Sequence, residues 1–224
     1  MRTLLIVVAV LSLVLLMLPS ILFLAGRMEL DTAQWVMLAA TVVWFATGTQ
    51  LQALDPDSGR IVRSIPVPGD AGTAFDGTHL FQIAEDRIQK IDPQTGSVLG
   101  TIPAPCKGGD SGLAWAEGSL WVGHYRERKI HQIDPATGKV LRSIETNRFV
   151  TGVTWVDGEL WHGTWEEGES ELRRIDPATG KVLDALTMPP GGGLSGLESD
   201  GAGLFYCGDG DKSTLRAVRR PKRA

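Results

Sequence analysis

From Thr49 onward apolar and polar residues alternate in short runs, and each run ends in a cluster of Gly, Asp, Pro, Ser or Thr. A period of two predicts half-buried strands, as in Lys129-Ile130-His131-Gln132-Ile133 and Lys139-Val140-Leu141-Arg142-Ser143-Ile144. No helix-period stretch of useful length follows residue 48.

Two turn signals punctuate the runs. One recurs as Leu54-Asp55-Pro56-Asp57-Ser58-Gly59, Ile91-Asp92-Pro93-Gln94-Thr95-Gly96, Ile133-Asp134-Pro135-Ala136-Thr137-Gly138 and Ile175-Asp176-Pro177-Ala178-Thr179-Gly180, with its aspartates 37, 42 and 42 residues apart. Asp accepts backbone N–H bonds, Pro presets φ, and Gly takes the left-handed position that ends the turn. The other is a tight hairpin upstream of each of the last three motifs: Asp76-Gly77, Glu117-Gly118 and Asp157-Gly158, each between apolar or aromatic residues. Two hairpins per repeat of about forty residues make four strands, which is one propeller blade. The chain is therefore mainly β, a β-propeller of four to five four-stranded blades.

Three complete blades are expected at about 72–106, 110–148 and 151–190, bracketed by a hairpin at 49–68 and a three-stranded piece at 194–221. If Arg60–Val67 completes the last blade the count is four; if residues 33–48 are strands it is five. Trp115, Trp121, Trp155 and Trp161 are expected to pack between blades.

The first 48 residues read as a membrane anchor. Thr3 to Ala25 is almost unbroken apolar sequence. At 1.5 Å per residue it reaches about 34 Å, enough for a hydrocarbon core of about 30 Å. A cleaved signal peptide would have a shorter apolar core and a small-x-small site, which is not evident here. The next apolar run, Trp35 to Ala46, reads either as a second helix over about 32–47 or as blade strands. Leu38-Ala39-Ala40-Thr41 favours the helix, while Trp44, eleven residues before Asp55 as Phe81 is before Asp92, favours strands. With Leu30-Asp31, Trp35, Met37-Leu38 and Trp44-Phe45 the segment resembles the two-helix hairpin of certain short bacterial membrane proteins, so the hairpin is the expectation. Arg2, Arg60 and Arg63 then place both ends and the propeller in the cytoplasm, at an inner membrane. A single span would put the propeller on the periplasmic side.

Net charge is −4, and the basic residues form no stripe, so no nucleic-acid partner is expected. Cys106 and Cys207, and the histidines at 79, 124, 131 and 162, fit no metal-ligand spacing. No nucleotide loop or nucleophile elbow is present, so no metal and no cofactor are expected. Asp209-Gly210-Asp211 lacks the further acids of a calcium loop and reads as a turn.

The innermost strands begin with small residues, Thr73, Ser111-Gly112, Thr151-Gly152 and Ser195-Gly196, as a crowded axis requires. As a set they suggest a polar channel mouth. The varied loops Gly123-His124-Tyr125-Arg126-Glu127-Arg128 and Gly163-Thr164-Trp165-Glu166-Glu167-Gly168 lie beside it in each repeat. Ser111, His124, Tyr125, Thr151, His162 and Trp165 are the candidate ligand-binding residues, and Glu166 and Glu167 the candidate acids.

Residues 110–190 resemble the plant and bacterial type of glutamine cyclotransferase. The match is clearest from Phe149-Val150-Thr151-Gly152-Val153 through Leu160-Trp161-His162-Gly163-Thr164-Trp165-Glu166-Glu167-Gly168. The resemblance covers roughly Thr49 to Pro221 and implies a five-bladed propeller that closes N-terminal glutamine into pyroglutamate. The family's F-G-E-G strand carries an acid for the substrate amine; the aligned residue here is Thr151, which cannot serve as a base at neutral pH. Trp165 keeps the family's aromatic position. The expected function is thus a membrane-anchored, non-catalytic propeller that binds a peptide or protein. An active cyclotransferase using Glu166 or Glu167, and a small-molecule-binding propeller, are the alternatives.

Overall fold

The computed structural model describes residues 43–46, 50–55, 58–209 and 214–221. They form 18 strands in five antiparallel up-and-down sheets. Three sheets are complete blades: β4 (Thr73–Phe75) to β7 (Val98–Pro103) with β5 (Leu80–Ala84) and β6 (Arg87–Ile91) between; β8 (Asp110–Ala116), β9 (Ser119–His124), β10 (Lys129–Ile133) and β11 (Val140–Glu145); and β12 (Phe149–Val156), β13 (Glu159–Glu166), β14 (Glu169–Ile175) and β15 (Val182–Thr187). A three-stranded sheet precedes them, β1 (Val43–Ala46), β2 (Leu51–Leu54) and β3 (Ile61–Ile65), and another follows, β16 (Gly196–Ser199), β17 (Leu204–Asp209) and β18 (Thr214–Arg219). Four of the five thus present an innermost strand, β4, β8, β12 or β16, in a propeller-like arrangement.

Two expectations about the ends need correction. Val43–Ala46 is a strand, not the last turn of a helix over 32–47. The eleven-residue spacing is the reason: Trp44 lies opposite Ala53 as Phe81 lies opposite Lys90, so the segment takes the register of a second blade strand. The segment Arg60–Val67 does not complete the last blade either: among the described residues β3 pairs with β2 alone, and β18 ends a separate three-stranded sheet. The apolar segment Thr3–Ala25 and residues 32–42 of the expected second helix lie outside the described residues.

The repeated turns form as their residue types dictate. Asp134 Oδ1 accepts from the backbone N–H of Ala136 at 2.8 Å and of Thr137 at 2.9 Å, and Gly138 N–H returns to the Asp134 carbonyl at 2.8 Å. Asp92 and Asp176 make the same bonds, which hold all three carboxyls below the ordinary aspartate range. The turn glycine has a second task. With φ of +73°, Gly138 sits so close to the preceding sheet that a Cβ would lie 2.7 Å from the Pro103 carbonyl oxygen.

Nearer the axis the sheets meet backbone to backbone. A Cβ on Gly72 or Gly112 would fall 2.2 Å from the amide nitrogen of Leu113 or Val153 on the next inner strand, and one on Gly152 would fall 2.5 Å from Leu197 N. Gly72 N–H donates to the Ser111 carbonyl at 2.7 Å, so the contact is bonded as well as close. The equivalent of Gly112 in the second sheet is therefore Gly72, so Thr73 takes the place of Leu113 and not, as expected, that of Ser111. Outside this line aromatic pairs fill the gaps: Phe81 on Trp115 at 5.4 Å, Trp121 on Trp155 at 5.6 Å and Trp161 on Phe205 at 5.1 Å. Trp121 and Trp161 are fully buried. The expected inter-blade role of the tryptophans is what the structure shows.

Gly112→Ala should destabilise the fold by about 1–3 kcal/mol, because two backbones must separate to admit one methyl group. Gly100→Ala, on outer strand β7 with no atom within 4 Å of the added Cβ, should be neutral or stabilise by about 0.4–1 kcal/mol. Urea unfolding of the two variants would separate them, and equal stabilities would refute the glycine contact as a limiting one.

Candidate functional site

The β9–β10 and β13–β14 turns and the links entering β8 and β12 lie at the same end of these two blades, and there they build a rim. Tyr125 stacks on Phe149 with ring centroids 4.9 Å apart, joining the β9–β10 turn to the first residue of β12. The Arg128 guanidinium lies 4.6 Å over the same Phe149 ring and donates to Glu166 Oε1 at 2.9 Å. Trp165 is the cross-strand partner of Phe149 and is 41% exposed. An exposed indole beside packed aromatics and a guanidinium–carboxylate pair is thus fixed on two adjacent blades.

The predicted acids part company here. Glu166 ends β13 in the grip of Arg128, with its other oxygen buried and unpartnered. Glu167 is not on the strand at all: with φ of +51° it forms the turn corner with Gly168, and it is exposed.

The predicted ligand-binding residues divide in the same way. His124, Tyr125 and Trp165 belong to the rim. Ser111 donates its hydroxyl to the Val150 carbonyl at 2.7 Å and is occupied in joining blades. Thr151 is buried, and its hydroxyl has no partner among the described residues. His162 is fully buried, with Nδ1 against the Gly163 carbonyl at 3.2 Å and Nε2 without a partner among the described residues. Its burial, reinforced by Arg173, pushes its pKa down to about 4, so it is neutral at pH 7.

Sequence reasoning missed two features. Glu198, on inner strand β16, has its carboxyl enclosed although the residue as a whole is only half-buried. Burial pushes its pKa up to about 7, against the opposing pull of the Ser199 N–H at 2.9 Å and the Thr154 hydroxyl at 3.1 Å. A carboxyl on a strand otherwise built of small and apolar residues was the available signal.

The other is a cluster of Cys106, His124 and His131, whose ligand-type atoms all lie within 4.8 Å of one another. They come from the β7–β8 link, the end of β9 and the middle of β10, so no spacing rule finds them. Register does: Lys129 lies opposite His124 and His131 opposite Val122, which puts both histidines on one face as diagonal neighbours. Burial and the facing Asp110 raise the Cys106 thiol well above its ordinary pKa, and burial and the neighbouring His124 lower that of His131. Among the described residues both cysteines are free thiols.

Two open grooves of about 330 and 310 Å³ lie beside the third complete blade, and the first takes in the buried His162 and, at Thr146 and Asn147, the link that enters β12 at the rim. The first runs beside Glu145, Asn147, Arg173 and Val182, and the second beside Gly158, Glu159, Arg174 and Leu183.

No protein-family model matches the chain, and no curated protein matches it by sequence. In structure it is similar to glutaminyl cyclase of Myxococcus xanthus, at 16% identity and a TM-score of 0.61 over 80% of this chain and 87% of that one. It is similar also to the WD40 β-propeller domain of Doa1, at 18% identity and a TM-score of 0.53 over 81% of this chain and 61% of that one. A protein of unknown function from Bacteroides caccae aligns at 18% identity with a TM-score of 0.50, over 80% of this chain and 72% of that one. These likenesses establish a propeller fold related in shape to a glutaminyl cyclase, and concern the fold alone.

His162 and Glu198 oppose each other in the pH dependence of stability. The His162 pKa is lowered, so the unfolded chain binds the extra proton. The contribution of neutral His162 is present above about pH 6.5 and is lost as pH falls toward about 4, on the order of 3 kcal/mol. The Glu198 pKa is raised, so the folded chain holds the proton and stability falls by a similar amount as pH rises from about 4.5 to about 7. Glu198→Gln should therefore leave a stability that rises across this window, and His162→Gln one that falls. Urea midpoints at pH 4.5 and 7 would check both signs.

Proposed function

We propose that the chain is a non-catalytic binding propeller, tethered to a membrane by Thr3–Ala25, that presents the Tyr125–Phe149–Trp165 rim to a peptide or protein. The observation that carries this reading is the 41% exposed Trp165, paired across strands with a Phe149 that Tyr125 and Arg128 already hold in place. A rigid aromatic surface beside an arginine is what partner-binding hot spots use, because little side-chain freedom is lost on contact. Thr151, at the position aligned with the cyclotransferase acid, supports the non-catalytic part, since its buried hydroxyl carries no charge and titrates nothing.

One observation favours a second reading, an active glutaminyl-peptide cyclotransferase. Glu198 titrates near neutrality, where a carboxyl can both take and give a proton. It lies on β16 instead of at the rim, which is why the binding reading is preferred.

A single experiment addresses both. The full chain in detergent is incubated with a pool of random free-amino peptides that includes N-terminal glutamine, and retained and modified peptides are read by mass spectrometry. Retention should drop at least about tenfold, about 1.4 kcal/mol, in Trp165→Ala and Arg128→Ala, and hold in Leu141→Ala on the outer strand. Ammonia loss that Glu198→Gln or Glu166→Gln abolishes would replace the binding reading with the enzymatic one. Retention indifferent to Trp165 and Arg128 would remove the rim from either.

The strand at Val43–Ala46 bears on topology. It leaves Thr32 to Val42 for a second helix, whose length of about 16 Å falls short of a core of about 30 Å. This supports one span, with Arg2 inside and the propeller on the non-cytoplasmic side. Protease added outside intact cells should then digest the propeller; protection until the membrane is opened would reverse the assignment.

A further inference from the structure

We propose that Cys106, His124 and His131 form a binding site for a divalent zinc-class cation, on the side of the second complete blade that faces the preceding one. One thiolate and two imidazoles are a donor set suited to zinc, with borderline-soft sulfur and nitrogen and no large hard-oxygen cage. Their ligand-type atoms lie within 4.8 Å of one another, and a tetrahedral zinc site holds such atoms about 3.5 Å apart, so side-chain rotation closes the set on an ion.

The surroundings are those of a ligand set as well as of a polar contact. His131 directs Nδ1 to the Ser143 hydroxyl at 2.7 Å, and His124 has Nδ1 3.7 Å from Glu127 Oε2. For His131 the Ser143 hydroxyl then fixes the ring and leaves Nε2 for a metal, as the outer partners of zinc-bound histidines do, and for His124 the Glu127 carboxylate lies on the Nδ1 side of the ring. Gly109 makes room for the site: a Cβ there would lie 2.8 Å from His124 Nε2. Asp110 anchors the loop that carries the thiol, accepting from the Cys106 N–H at 3.2 Å and from the Gly108 N–H at 3.4 Å. Gly109 N–H donates to the Cys106 carbonyl at 3.0 Å, and Tyr125 N–H to the Gly109 carbonyl at 3.1 Å, so the loop is tied to the β9–β10 turn.

Both histidines stand on adjacent strands of one sheet, which spares the site most of the ordering cost of a loop-built one. Binding releases the Cys106 thiol proton to solvent, and the thiolate with the nearby Asp110 carboxylate balances the charge of the ion. Three protein ligands leave one tetrahedral position for water or for the Asp110 carboxylate.

Cobalt(II) titration of the reduced, metal-stripped full chain tests this. One equivalent should produce the intense visible bands of tetrahedral cobalt together with a near-ultraviolet thiolate-to-cobalt charge-transfer band, and zinc should bleach both. Cys106→Ser should abolish the charge-transfer band, while Cys207→Ser, which removes the other thiol, should keep it. His131→Gln should weaken zinc binding at least a hundredfold, and Ser143→Ala about ten- to a hundredfold. Absence of the charge-transfer band from the unaltered protein, or its persistence in Cys106→Ser, would overturn the site without requiring any variant to fold. An equivalent of zinc bound equally well by folded His131→Gln would do the same.

Discussion

The approach of one inner strand to the next, without a side chain between them, is the constraint on which the rest of the structure rests. At Gly72, Gly112 and Gly152 the backbone of one sheet lies where a Cβ would overlap the amide of its neighbour. That contact sets the spacing near the axis, and the spacing decides which side chains fit further out. Flat aromatic pairs fill the wedge between diverging sheets, and the outer-turn glycines Gly96, Gly138 and Gly180 take up the remaining gap against the preceding sheet. Hydrophobic burial supplies most of the stabilisation, but the glycines decide the angle at which it is collected.

The same constraint explains why polar groups sit where they do. Along the line of glycine contacts, polar residues of the first and second strands are buried at the junctions. Ser111 satisfies itself on the neighbouring blade, Thr151 and His162 are enclosed, and Glu198 keeps its proton near neutrality. Chemistry facing solvent is displaced to the rim, where turns from adjacent blades are free of the glycine spacing. There the Arg128–Glu166 pair and the Tyr125–Phe149 stack bridge two sheets at one junction.

The fold was largely legible because its signals are local. Asp-Pro-x-Thr-Gly and x-Gly turns depend on a few consecutive residues, and the alternation between them needs only the two-residue pleat. The tryptophans were placed correctly for the same reason, being large apolar residues on strands with two covered faces. What was illegible depends on residues far apart in sequence. The strand at Val43–Ala46 follows good helix-forming residues, and the spacing of Trp44 from Asp55, which marks it as a strand, decides only through its pairing with Leu51–Leu54. Glu166 and Glu167 stand side by side in sequence, and nothing local says that the strand ends between them and leaves only Glu166 fixed. His162 was assigned to a ligand face, since the repeat does not say which side of a blade lies buried. The Cys106, His124 and His131 cluster crosses a link and two strands, and pairing register, not spacing, brings it together.

The glycine contacts specify a distance between backbones and almost nothing about chemistry. Each repeat must keep a bare Cα near the axis and a turn glycine at the outer edge, while most other positions need only remain apolar, polar or small. Under such a rule, substitutions accumulate without altering the junctions, and lineages lose their common sequence long before their common shape. Such a rule lets a chain superpose on a glutaminyl cyclase over 80% of its length while sharing 16% of its residues. Ancestry in such propellers is better sought in the placement of the glycines than in the residues around them.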